Sequence, residues 1–190
     1  MLLSPSVFWR WLPWAMVWSF STLPGAFAEP RATAEYEVKA TFLYNFGRFV
    51  HWPQDQLGDS TTPFLLCILG EDPFGRLIDE IAAGRSVQDR RLAVKRMNSA
   101  VEASRCHVLF ISRSERANLD RILKTIDGKS VLIVSEIDDF LERGGIINFR
   151  LERKNVRFDI NVTAAERRKL KISSQLLRHA VKVVGRPQEG

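Results

Sequence analysis

The chain has 190 residues, 28 Lys+Arg against 22 Asp+Glu, and a formal net charge of +6. After the first 28 residues no segment is apolar enough to span a bilayer, which takes about 20 apolar residues, and no repeat or low-complexity tract interrupts the sequence. In the cytoplasm a basic balance would point to nucleic acid. For an exported chain it points instead to anionic lipid headgroups, an acidic partner or an anionic ligand, or to a solvated basic surface with no partner at all.

Residues 1–28 have the form of a secretory signal peptide. Arg10 supplies the positive charge, and the apolar run Trp11-Leu12-Pro13-Trp14-Ala15-Met16-Val17-Trp18 follows. Pro24-Gly25-Ala26-Phe27-Ala28 ends in an A-x-A site, so cleavage is expected after Ala28, with an uncleaved N-terminal anchor as the alternative. Residues 29–190 then form one domain in the periplasm, with no nucleic-acid partner. The two cysteines, Cys67 and Cys106, are a disulfide candidate in an oxidising compartment; two buried free thiols are the alternative.

The first predicted element is a helix from Ala34 to Val50, with Val38, Phe42, Phe46 and Phe49 on one apolar face beside Leu43 and Val50. Trp52-Pro53 stops it. Phe64 to Leu69 is a continuous apolar run that suits a strand covered on both faces. Asp72-Pro73 opens a helix as N-cap and first helical residue, with Phe74, Leu77, Ile78 and Ile81 inward and Gly84 at its end.

Arg91 to Met97 reads as a strand near a sheet edge, and His107 to Ile111 as a second apolar strand. Ser112 to Glu115 has the spacing of a capping box, followed by a helix through Leu119, Ile122, Leu123 and Ile126 to Gly128. Ser130 to Val134 is a third apolar strand. Strand–helix alternation of this kind predicts an α/β fold with a mostly parallel central sheet flanked by helices.

The pattern then changes to period two. Ile147, Phe149 and Leu151, then Val156, Phe158 and Ile160, alternate with polar residues and predict an antiparallel C-terminal hairpin with one buried face. A last helix is predicted from Ser173 to Val184, with Arg178 and Lys182 outward and His179 beside them.

Few residues carry chemistry. His51, His107 and His179 are isolated, outside any nucleophile or metal motif, and His107 reads as a packed histidine. Glu136, Asp138 and Asp139 are the one acidic trio that could hold a hard cation, although helix N-terminal charge explains such a cluster more often. Gly70 to Gly75 matches no phosphate loop, and its acids would repel a phosphate. No catalytic, metal or cofactor site is expected.

Two features suit binding. Aromatic residues crowd Tyr36 to Trp52, more than one helix face can bury, which leaves Tyr44 and Trp52 as candidates for a partner surface. Arg178, Lys182 and Arg186 at four-residue spacing would make a basic ridge, with His179 alongside. Core packing and a solvated face are the plainer accounts of the two.

Several blocks resemble the YfiR-like family in order. They are Glu35 to Phe46 with Phe49-Val50 and Trp52-Pro53, Leu69 to Gly75, Cys106 to Ile111, Gly144 to Phe149, Arg157 to Asn161 and Leu170 to Leu177. The resemblance implies a non-catalytic periplasmic α/β protein that dimerises. It further implies that the protein binds the periplasmic region of an inner-membrane diguanylate cyclase and represses it, and that an OmpA-like outer-membrane lipoprotein sequesters it. Cyclic-di-GMP and biofilm formation would then be under its control. Cys67 and Cys106 match one cysteine pair of the family, while Gly145 and Glu152 stand where a second pair would be. The alternative is a periplasmic small-ligand sensor of a different signalling system, with the aromatic cluster and the basic ridge forming its pocket.

Overall fold

The structure, a computed structural model, describes residues 30–185. The expected signal peptide and Arg186 lie outside them. Helix α1 (Pro30–Phe49) runs into the short strand β1 (Val50–His51), and α2 (Gln54–Leu57) follows. Strand β2 (Phe64–Leu69), helix α3 (Arg76–Ala82), β3 (Ser86–Val87) and β4 (Arg90–Met97) come next. Then come β5 (Val108–Ile111), α4 (Leu119–Thr125), β6 (Leu132–Ser135), β7 (Ile147–Glu152) and β8 (Asn155–Asn161). The chain closes with α5 (Val162–Arg167), β9 (Lys171–Ile172), α6 (Ser174–Leu177) and β10 (Val183–Val184).

The main sheet has the order β10-β8-β7-β6-β5-β2-β4-β3. β4, β2, β5, β6 and β7 are mutually parallel, β7–β8 is the antiparallel hairpin, and β3 pairs antiparallel with β4. This is the α/β fold with mostly parallel sheet and C-terminal hairpin that the alternating pattern predicts. The three apolar runs form its centre: β5 and β6 are fully buried, as are five of the six residues of β2. From β2 the chain crosses through α3 to one side, and from β5 it crosses through α4 to the other. Right-handed crossovers in opposite directions put the two helices on opposite faces. Helix α1 packs with α3 and over β8, and its Tyr36 meets Phe74 edge to face at 5.6 Å.

Several local expectations are corrected. The last helix is a single turn, and Val183–Val184 forms an edge strand beside Ile160 and Asn161. The β-branched residues Val181, Val183 and Val184 favour extended backbone, and β8 presents open groups to them. Val181 N–H donates to the Phe158 carbonyl at 2.9 Å and Ile160 N–H to that of Lys182 at 2.9 Å. Ser112 to Glu115 makes no capping box: a 3-10 turn over Arg113–Asn118 intervenes, and the Glu115 carboxylate accepts from Asn118 at 2.9 Å. The Asp72 carboxylate accepts from Phe74 N–H at 2.7 Å, but Gly75, at φ 54°, delays the helix to Arg76. In α1 the buried face is centred on Lys39, Ala40, Leu43 and Phe46, and Val38 is 43 % exposed.

Candidate binding site

In an open α/β sheet the usual ligand crevice lies at the carboxyl ends of strands whose crossovers diverge, here β2 and β5. The β5 loop closes part of that crevice, and a cavity of about 170 Å³ remains beside it, lined by Leu69, Asn98, Glu115 and Arg121. Gly70 sits at φ 88° directly under the β5 loop, where a Cβ would lie 2.5 Å from Ser114 Oγ. The hydroxyl of Ser114 accepts from Glu71 N–H at 2.9 Å and seals the junction.

A second open site lies between α1, β8 and α6. Phe42, Phe46 and Phe49 recur along one side of α1, and Phe158 projects up from β8 between two of them. Its ring is 5.3 Å from Phe42 and 5.1 Å from Phe46, both nearly edge to face. A small two-stranded sheet pins the C-terminal segment against the end of α1, with Val50 opposite Ile172 and His51 opposite Lys171. Ser173 N–H donates to the Phe49 carbonyl at 3.0 Å, and its hydroxyl accepts from Leu176 N–H at 3.2 Å. This start of α6 carries Gln175, Leu176 and His179 over the aromatic rings. A cavity of about 240 Å³ results, walled by the four phenyl groups and rimmed by Asn45, Gln175 and His179. It can hold a flat apolar group against the rings, with hydrogen-bonding atoms at its mouth.

The five residues singled out for binding are not brought together. His179 rims the cavity, and Arg178 is exposed beside it at the end of α6. Tyr44 lies on the opposite side of α1, half-buried, with the Arg85 guanidinium 4.9 Å above its ring and Arg48 at 5.8 Å. Lys182 lies elsewhere, in clefts shared with Leu141 and Glu142, because the chain leaves helical geometry after Leu177. Trp52 is 7 % exposed and stands edge-on to Phe64 at 5.2 Å, so it belongs to the core and offers no partner surface.

The acidic trio also separates. Glu136 is buried at the end of β6, where it pairs with Lys39, accepts from the Tyr36 hydroxyl at 2.9 Å and faces Arg113 at 3.4 Å. Lys39 pairs in addition with Glu35. Burial and the Glu136 carboxylate push the Tyr36 hydroxyl well above the usual tyrosine range. Asp138 faces solvent, bound to Arg116 at 2.8 Å, which holds its carboxyl below the ordinary range. Among the described residues no cluster of His, Cys, Asp or Glu could hold a metal ion. Sequence reasoning missed Lys39. The signal was present: a lysine inside an apolar helical stripe, with Glu35 one turn before it.

Cys67 and Cys106 are joined by a disulfide, with Cα atoms 6.0 Å apart, which fastens β2 to the lead-in of β5. Gly145 lies flat on the Phe140 ring with no space for a side chain, and Glu152 is exposed at the hairpin's end. His107 is buried, stacked on Phe64 at 4.5 Å, and its Nδ1 accepts from Leu65 N–H at 3.0 Å. Burial lowers its pKa to about 4.

Fold and site together define a disulfide-fastened α/β domain with clefts between its helical layer and its hairpin. The chain belongs to the YfiR/HmsC-like family, DUF4154, whose pattern matches residues 36–181. No curated protein matches it. Among solved structures it is similar to a conserved domain protein from Vibrio cholerae O1 biovar El Tor, at 11% identity and a TM-score of 0.54. The match covers 78% of this chain and 60% of that one, so the chain spans less than two thirds of that protein, and the likeness is one of fold. A Streptococcus pneumoniae ABC domain in complex with L-Trp also matches, at 10% identity and a TM-score of 0.48, over 64% of this chain and 55% of that one.

Proposed function

We propose that this protein is an exported, non-catalytic repressor that acts in the periplasm after cleavage behind Ala28. It binds the periplasmic region of an inner-membrane diguanylate cyclase, as a homodimer, and holds the enzyme inactive. An OmpA-like outer-membrane lipoprotein relieves it by sequestration, and cyclic-di-GMP and biofilm formation follow. The observation that carries this reading is the family pattern over residues 36–181, nearly the whole described domain. The Cys67–Cys106 disulfide supports it, since such bonds persist in oxidising compartments. Deleting the gene should raise cyclic-di-GMP and restoring it should lower the level again. An unchanged level in cells that make the protein overturns the proposal.

A second reading, a small-ligand sensor, is favoured by the aromatic cavity beneath His179. Aromatic and anionic metabolites should raise the melting temperature of the protein and fail to raise that of His179→Ala. No stabilisation by any of them removes this reading.

A further inference from the structure

The layer between α1 and the hairpin closes tightly at one end and opens like a wedge at the other. Across β7 and β8 the inward pairs are Ile147 with Ile160, Phe149 with Phe158 and Leu151 with Val156. The first two pairs are buried beneath α1, but Leu151 is 53 % exposed. On the helix side Phe42 packs on Phe158, and one turn nearer the N-terminus Val38 is 43 % exposed. Val38, Leu151 and Val156 thus line a groove of about 660 Å³ where, among the described residues, the apolar layer continues without a filling.

Its rim is cationic. Lys154 and Arg157 border the groove and Arg153 stands at the hairpin tip, and none of the three has a carboxylate in salt-bridge reach among the described residues. Glu35, the one acid lining the groove among the described residues, is committed to Lys39. Arg153 and Lys154 form the two-residue turn at φ 48° and 73°, a backbone that favours Asn-Gly. The turn keeps its two cations despite that preference.

The strand edge beside the groove is open as well. Across a two-residue loop the hydrogen-bonded pairs start at Glu152–Asn155 and alternate, so Val156, Phe158 and Ile160 direct their backbone groups outward. β10 and its lead-in use Ile160 and the Phe158 carbonyl and reach no farther, which leaves the N–H and C=O of Val156 open along the groove among the described residues.

We propose that this wedge is a docking site for a short extended acidic–apolar segment of a protein partner. An apolar side chain of the segment fills the space between Val38 and Leu151, its carboxylates meet Lys154 and Arg157, and its backbone adds to the Val156 edge. A lipid surface would contact the tip cations but leave this recessed edge unused. The proposal rests on the reading that the chain works by binding protein. It is tested on the purified protein, so its failure is distinct from that of the cyclic-di-GMP test.

Random 12-residue peptides displayed on phage are selected against the purified protein, and the enriched peptides are synthesised for affinity measurement. Acidic–apolar peptides are expected, and Leu151→Asp and, separately, Lys154→Glu/Arg157→Glu should each weaken them by about tenfold or more. Melting temperatures identify any variant that does not fold. Both substitutions fall at exposed positions. No enrichment of acidic–apolar peptides, or peptides that bind both variants unchanged, overturns the proposal. So does a groove covered by a second copy, seen as dissociation of a dimer in Leu151→Asp. Binding to phosphatidylglycerol vesicles that survives in the peptide-saturated protein and is lost in Lys154→Glu/Arg157→Glu assigns the cations to a membrane and overturns it too.

Discussion

Lys39 and Glu136, 97 residues apart, form an ion pair in which both side chains are buried, at 2% and 3% exposure. The pair joins α1 to the end of β6, and Tyr36 and Glu35 complete it from the same helix. Charges taken out of water are costly unless matched, so the pair fixes how α1 sits more than it adds net stability. It also places the N-terminal part of α1, and hence Val38, over the hairpin.

Removing one partner leaves a buried charge. Lys39→Met and Glu136→Leu should each destabilise the protein by about 3 kcal/mol, measured by urea unfolding. The double variant should cost less than the two together, with a coupling of roughly 1–3 kcal/mol. Tyr36→Phe should cost only about 1 kcal/mol, the value of one hydrogen bond. Additive single costs would show that the pair is not coupled.

The disulfide closes a loop with a sequence separation of 39. Chain entropy gives such a closure about 4 kcal/mol. For a domain of this size that is roughly 8–16 °C in melting temperature. Reduction, or the Cys67→Ala/Cys106→Ala variant, should lower the melting temperature by that amount. A change of a degree or two would mean that β2 and β5 are held by their ladder alone.

Most of the fold was legible in the sequence because its centre obeys one rule. Phe64 to Leu69, Val108 to Ile111 and Leu132 to Ser135 are covered on both faces, and a continuous apolar run states that directly. The hairpin was legible by alternation because only one of its faces is buried. What failed depended on neighbours distant in sequence. The run from Ile172 to Val184 has helical spacing, but Phe158 and Ile160 offer hydrogen bonds that draw Val181 to Val184 into extended backbone. For Trp52 the sequence leaves both a partner surface and core packing open, and only the fold reveals Phe64 and His107 around it. The His179 cavity needed the β1–β9 pairing, two residues on each strand, too short to leave a periodic signal.

Gly145 should tolerate no side chain. A Cβ there would lie 2.2 Å from the Phe140 ring, which is itself fully buried and unable to yield. Gly145→Ala should destabilise by about 1–3 kcal/mol through overpacking, read from the urea midpoint. Combining it with Phe140→Leu, which frees space, should recover part of the loss. A Gly145→Ala variant as stable as the parent would mean that the turn before β7 shifts freely.

His107 should make stability fall with acidification across a defined window. Its folded pKa is about 4 against 6.5 for the free side chain, because burial disfavours the imidazolium. The unfolded chain therefore takes up the proton first. The stability that neutral His107 contributes is complete above about pH 6.5, declines as pH drops from there, and is gone below about pH 4. The full span is roughly 3 kcal/mol. Trp52, 6.3 Å from the imidazole, offers a local reporter, since the other four tryptophans all precede Ala28. In the chain from Glu29 its fluorescence follows unfolding without interference. His107→Gln keeps an acceptor for the Leu65 N–H and removes the titration. The stability difference between parent and variant should change between pH 4 and 6.5 and stay level on either side. A difference that is flat through that window would mean that the imidazole charges freely in the folded protein and that water reaches its open Nε2.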